Sequence, residues 1–286
     1  MSRYLDPKAD VVFKRIFGEH PELLRSFLNA VLPLSDDEKI VSLEYLMPEQ
    51  APAIPTFKRT VVDVKCCDKQ GRVFIVEMQV NWTDGFKQRL LFGTSQAIVK
   101  QLQKGERYHL LEPVYGLGII AEIYDRESPE WYHHYQLVEQ NRDENRRVIE
   151  HLQLIFIELP KFKIQTQDEK KLRLLWLCFL REIDENTKQV PQELLDVPEI
   201  SKAVALSEQA AYSSGELQAY ETYWDSVRTE KTLVAGFYEK GLKEGLEKGL
   251  KEGLNKGREE EKIMIAKRLL QRKIEAEIVS DISGLD

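Results

Sequence analysis

A chain of 286 residues, 42% hydrophobic and 31% charged, is long enough to bury a sizeable core with an appendage beside it. The net charge of −7 argues against a basic footprint spread over the whole chain, so any nucleic-acid surface must be local. No apolar run reaches the ~18 residues of a membrane span, the N-terminus lacks a signal-peptide core, and the spacing of Cys66, Cys67 and Cys178 argues against a disulfide framework or zinc site, so a cytoplasmic protein with reduced thiols and no membrane partner is expected.

In chain order, Asp6 and Pro7 predict an N-cap and first helical position. Val12, Phe13, Ile16 and Phe17 fit one face of that short helix, and Gly18 ends it. A second helix is predicted over residues 21–32, a strand over 40–46 and a proline-containing loop over 47–55. Strands follow at 57–67 and 72–80, then an amphipathic helix at 84–104 and a buried central strand at 113–124. Two more strands, 132–139 and 153–159, and a helix over 168–183 close the compact part. The adjacent His133 and His134 point to opposite faces of their strand and make a poor chelate. This order predicts an α/β fold, a mixed central sheet flanked by helices. The expected organisation is a domain over 1–185, a helical connector over 186–235 and a helical tail over 236–286.

Residues 61–80 carry the chemistry. Asp68-Lys69-Gln70-Gly71 is turn chemistry between two runs of β-formers. With Gly71 left-handed, Asp68 pairs with Arg72, and counting back sets Asp63 opposite Glu77. One face then carries Asp63, Lys65, Glu77 and Gln79, and the other carries Val62, Val64, Val76 and Met78 as core. A register one residue off would split the carboxylates. Two carboxylates this close repel unless a cation or proton lies between them. Mg²⁺ suits such a pair, because it keeps waters and phosphate oxygens as its other ligands. It acidifies a bound water and stabilises charge on phosphate, the needs of a phosphodiester hydrolase. The same spacing also fits a solvated hairpin face on which Lys65 pairs with Asp63 and Glu77.

Several ordered blocks resemble one family. They are DVVFKRIF at residues 10–17, SFL at 26–28, VDV at 62–64, EMQ at 77–79, Phe86 with Arg89, GERY at 105–108, PVY at 113–115 and ELPKF at 158–162. Together they resemble the PD-(D/E)XK nuclease family transposases, the recombination-promoting nuclease group of bacteria, over about residues 6–183. The resemblance implies a restriction-endonuclease-like fold and Mg²⁺-dependent DNA endonuclease activity that promotes recombination, with Mn²⁺ as an alternative ion. It makes Asp63 and Glu77 metal ligands, the Met78 carbonyl a third ligand, and puts Gln79 in the place of the motif lysine. A glutamine amide orients a water but cannot accept its proton at neutral pH. Metal activation is therefore the first expectation, with Lys65 the second candidate for the missing cation. Asp10 and Lys14 share a helix face, where Asp10 supports the metal through a water or the two form a plain surface pair. Arg89 holds a phosphate, the carboxylates, or only a surface ion pair. Phe13, Phe17 and Phe86 are expected in the core rather than stacked on bases. The contrasting expectation is a weak or inactive DNA-binding or interaction module on the same fold.

The tail repeats EKGLKEGLEKGLKEGLNKG. Gly241, Gly245, Gly249, Gly253 and Gly257 recur every fourth residue, each of the first four followed by a leucine. Each glycine costs a helix ~1 kcal/mol relative to alanine, so another interaction must hold the segment or it frays. Close backbone approach predicts a homodimer through the tail; a flexible helical linker is the other reading. A local basic excess over residues 239–273 offers a DNA contact or a solvated face. A final amphipathic segment is predicted over 259–282.

Overall fold

The computed structural model describes residues 3–50, 60–140, 147–163 and 171–285. It divides into two compact units, Met1–Val227 and Arg228–Asp286.

In the first unit, α1 (Asp10–Phe13) widens into a π-helical turn over Lys14–Gly18, and α2 (Pro21–Val31) follows with proline in its first turn. Asp6 does not cap α1: its Oδ1 accepts the Lys8 N–H at 2.9 Å, closing a turn, and the helix starts at Asp10. Strands β1 (Leu43–Tyr45), β4 (Val64–Asp68) and β5 (Val73–Gln79) form an antiparallel set. A separate pair, β2 (Glu49–Gln50) and β3 (Thr60–Val61), lies where a loop and the start of one long strand were expected. Residues 51–59 and 164–170, which hold parts of the predicted loop, strand and helix, lie outside the described residues.

Helix α3 (Phe86–Val99) carries the chain across to β6 (Val114–Ile120), which is parallel to β5. β7 (Tyr132–Val138) and the long β8 (Val148–Glu158) complete a sheet of order β1-β4-β5-β6-β8-β7 among the described residues. β8 starts five residues earlier than expected, at Val148, and its first residues are exposed. The mixed sheet flanked by helices is the expected architecture.

The sheet's two faces bury different clusters. Val64, Cys66, Phe74, Val76 and Met78 face Phe13, Phe17, Phe27, Trp176 and Phe179, with α4 (Lys171–Glu182) supplying the last two. Val73, Ile75, Val114 and Phe156 face Phe86, Leu90 and Ala97 of α3. Phe13, Phe17 and Phe86 are fully buried, as expected, and the three cysteines are free. Val62 corrects the alternation: it packs with the α3 cluster and not with Val64, because the chain bends at Asp63 before β4 begins. Two short helices, α5 (Gln192–Leu195) and α6 (Pro198–Leu206), add Leu194, Ile200, Ala203 and Val204 to the main core.

Helix α7 (Ser214–Gln271) is continuous for 58 residues and passes through all five repeat glycines. In the second unit, the predicted last segment breaks: Lys273 adopts φ 60° with an Ile274 N–H to Leu269 carbonyl bond, and α8 (Ala276–Ser283) follows. No helix among the described residues is long and apolar enough to cross a membrane.

Candidate active site

The hairpin turn sets the site. Gly71 has φ 87°, and Asp68 Oδ1 accepts the N–H groups of Gln70 and Arg72 at 3.0 Å each. Arg72 Nε closes the turn on Asp68 Oδ2 at 2.7 Å. Register then runs Cys67↔Val73 to Val64↔Val76, and one step further sets Asp63 against Glu77. Asp63 lies outside the ladder, and its Oδ2 accepts the Met78 N–H at 2.7 Å. The side chain has taken a backbone donor of β5, which explains why regular pairing stops there. Val73 and Gln79 bond towards β6, so the intervening alternation turns the N–H and carbonyl of Met78 to the side where Asp63 lies.

Glu77 is 3% exposed. Its Oε2 accepts Arg89 Nε at 3.2 Å and Nη2 at 3.0 Å, whereas its Oε1 is buried without a hydrogen-bond partner among the described residues. Arg89 Nη2 also reaches Gln79 Oε1 at 2.6 Å, and the Gln79 amide donates to the Asn81 carbonyl. Burial pushes the Glu77 carboxyl up to about 7, with Arg89 opposing and Asp63 adding to the rise. Burial also raises Asp63; the Met78 N–H opposes it, Asp10 adds to it, and Lys14 and Arg89 lower it. Asp10 and Lys14 form an ion pair of 2.8 Å with both side chains more than two-fifths exposed.

The arrangement therefore gathers Asp10, Lys14, Asp63, Glu77, Met78, Gln79 and Arg89. Lys65 pairs with Ile75, two residues along the ladder from the Asp63–Glu77 step. Burial and then the Lys100 charge hold the Lys65 ammonium below its usual range. The charge beside the pair comes instead from Arg89 on α3 and Lys14 on the π turn.

A divalent cation fits these residues. Burial raises the proton affinity of both carboxylates, Asp63 raises that of Glu77 further, and one buried oxygen lacks a donor among the described residues. Among the described residues, no group of three or more His, Cys, Asp and Glu side chains converges. Two carboxylates and a carbonyl suit an ion that keeps waters and phosphate oxygens, such as Mg²⁺, better than a closed zinc site.

The sequence reading missed a second polar cluster at the same end of the sheet. Gln79 pairs with Ile120, which pairs with Glu158. The fully buried Glu158 accepts the Tyr124 N–H at 2.9 Å and Lys161 Nζ at 2.7 Å, and lies 2.8 Å from His133 Nε2. His134 instead meets Gln153 at 2.6 Å, so the adjacent histidines do not chelate together. Trp82 and Tyr124 stack at 4.4 Å, with Lys87 Nζ 4.2 Å from the Tyr124 ring. The ELPKF block at 158–162 holds Glu158 and Lys161, but the contacts with Tyr124 and His133 form only when β6, β7 and β8 assemble.

The raised Glu77 carboxyl has a measurable sign. A folded carboxyl titrating near 7 binds protons that an unfolded one has lost by 4.5, so its contribution is full below 4.5 and lost as pH rises through 7. Protein in a chelator should lose on the order of 3 kcal/mol of stability across that window. Denaturant melts at stepped pH check this, and Glu77→Gln should flatten the slope.

No curated protein and no solved structure gives a significant match to the chain. The family model described as PD-(D/E)XK nuclease family transposase matches residues 7–235, a stretch that includes the hairpin, α3 and the whole six-stranded sheet. The chain belongs to the PD-(D/E)XK nuclease family transposases.

Proposed function

We propose that the protein is a divalent-cation-dependent endonuclease that hydrolyses phosphodiester bonds in DNA, with recombination as its biological setting. The observation that carries this reading is the half-buried Asp63 beside the buried Glu77, with Glu77 Oε1 left without a donor among the described residues. Asp63, Glu77 and the Met78 carbonyl would hold the ion, Mg²⁺ or Mn²⁺. The ion supplies Lewis-acid stabilisation of charge on the phosphate and acidifies water. The chain's own residues then orient the reactants. The Met78 N–H fixes the Asp63 carboxylate, and the α3 side chain of Arg89 offers a planar fork for a carboxylate or phosphate. Gln79 orients water without taking its proton. Asp10 and Lys14 act on the Asp63 charge, and the exposed Lys14 would add positive charge towards a DNA strand.

The test is supercoiled plasmid incubated with purified protein and Mg²⁺. Nicked and then linear product is expected, and none in a chelator; intact plasmid over a range of Mg²⁺ and Mn²⁺ concentrations would contradict the reading.

The tail supports self-association as a homodimer. Leu242, Leu246, Leu250 and Leu254 are each more than half exposed on a continuous helix, and nothing lies within 4 Å of a Cβ built on the repeat glycines. A second copy would cover these leucines and offset the ~5 kcal/mol that five glycines cost the helix. The double variant Leu246→Glu/Leu250→Glu is expected to halve the mass measured by light scattering; an unchanged mass would remove the repeat as the dimer element.

A further inference from the structure

The Arg89 side chain makes three hydrogen bonds among the described residues, and all three end on groups the proposed chemistry uses. Its Nε and Nη2 both bond Glu77 Oε2, and Nη2 also bonds Gln79 Oε1. With the Gln79 amide given to the Asn81 carbonyl, both ends of that side chain are engaged. Gln79 keeps one amide hydrogen and one lone pair, but Arg89 and the Asn81 carbonyl fix the direction in which they point.

The two partners of the ion pair differ in freedom. The Glu77 side chain is 4% exposed and fixed by the strand, whereas the Arg89 side chain is 46% exposed on the outer part of α3. Arg89 bonds Glu77 through Oε2 alone and leaves Glu77 Oε1 without a donor among the described residues. A divalent ion would satisfy both carboxylates, and the exposed arginine is the partner that can leave at small desolvation cost.

We propose that Arg89 is an internal competitor of the divalent cation: its guanidinium holds Glu77 and Gln79 in the metal-free protein and gives both up when the ion binds. It is a positioning residue, acting through Glu77 and Gln79. This inference rests on the metal reading above. Arg89 keeps the empty carboxylate pair compact, and its departure frees Gln79 for water and the guanidinium for a phosphate oxygen. Site assembly is then coupled to ion binding.

The test is calorimetric titration of Mg²⁺ and of Mn²⁺, without DNA, into the full chain and into Arg89→Gln and Arg89→Lys. Arg89→Gln is expected to bind the ion about tenfold more tightly than the parent. Arg89→Lys should also bind more tightly, because an ammonium keeps the charge but lacks the fork that spans Glu77 and Gln79. A purely long-range charge effect would leave Arg89→Lys at the parent's affinity. In the parent, the Arg89 Nε–H resonance should shift during the Mg²⁺ titration with the calorimetric midpoint. Variants that bind within twofold of the parent, or an Nε–H resonance that stays in place while the ion binds, overturn the competition alone. No uptake by parent or variants overturns both the competition and the metal site.

Discussion

Asp63→Ala and Glu77→Ala should each lower Mg²⁺-dependent plasmid nicking by about 10³-fold, because each removes a ligand whose charge acts where the phosphate is attacked. Alanine also disturbs the fold locally. At position 63 it strips the acceptor from the Met78 N–H, a buried donor whose loss costs ~1–3 kcal/mol. The cleaner variants are Asp63→Asn, which keeps an acceptor for that N–H, and Glu77→Gln, which keeps one for Arg89. Both should lose nicking almost as fully as alanine. Their chelator-treated forms should melt no lower than the parent, since burial already disfavours the two ionised carboxylates. Nicking rates measured beside thermal melts separate the effects. An Asp63→Asn protein that keeps more than about a tenth of the parent rate would remove Asp63 from the chemistry.

The second large effect lies behind the site, where α3 meets β6. A Cβ on Gly116 would stand 2.5 Å from Thr94 Cγ2 and 3.2 Å from Leu90 Cγ, both on α3. A Cβ on Gly118 would stand 2.9 Å from Phe86 Cε1 and 3.1 Å from Phe156 Cδ1. Thr94, Leu90 and Phe86 are fully buried, so they have little room to give. Gly116→Val is expected to cost ~3 kcal/mol or more and lower the melting temperature by about 10 °C. Any fold that survives must move α3 outward, which takes Arg89 away from Glu77. Thermal unfolding reads the first effect, and loss of the Arg89 Nε–H signal to Glu77 reads the second. A Gly116→Val melt within about 2 °C of the parent would show that the helix approaches the sheet less closely than described.

These two regions also show what a sequence can disclose. The register of the hairpin was legible because one turn fixes it: Asp68 and Gly71 demand one geometry, and counting from them reaches Asp63 and Glu77. Period-2 alternation put Lys65 on the face of Asp63, and the register sets it opposite Ile75, two residues towards the turn. The same alternation set Val62 in the main core, but the bend at Asp63 turns Val62 to the α3 side. PVYGLGII read correctly as a buried strand, while the reason for its two glycines, room for α3, depends on a helix that sits on the sheet only after folding. Arg89 was visible as one charge on a helix; its three bonds needed the angle of α3 across β5. In the tail, propensity argued against a long helix through five glycines, and the structure carries one helix through all of them with its leucines exposed.

The location of the cation decides the account most directly. Fe²⁺ substituted for Mg²⁺ in the intact protein, with ascorbate and peroxide, generates radicals that cut the backbone beside the bound ion. Cuts are expected next to Asp63 and at Glu77–Met78, suppressed by excess Mg²⁺ and absent from the Glu77→Ala protein. Cuts clustered elsewhere in the chain, or cuts at these positions that survive both Mg²⁺ and Glu77→Ala, would contradict it.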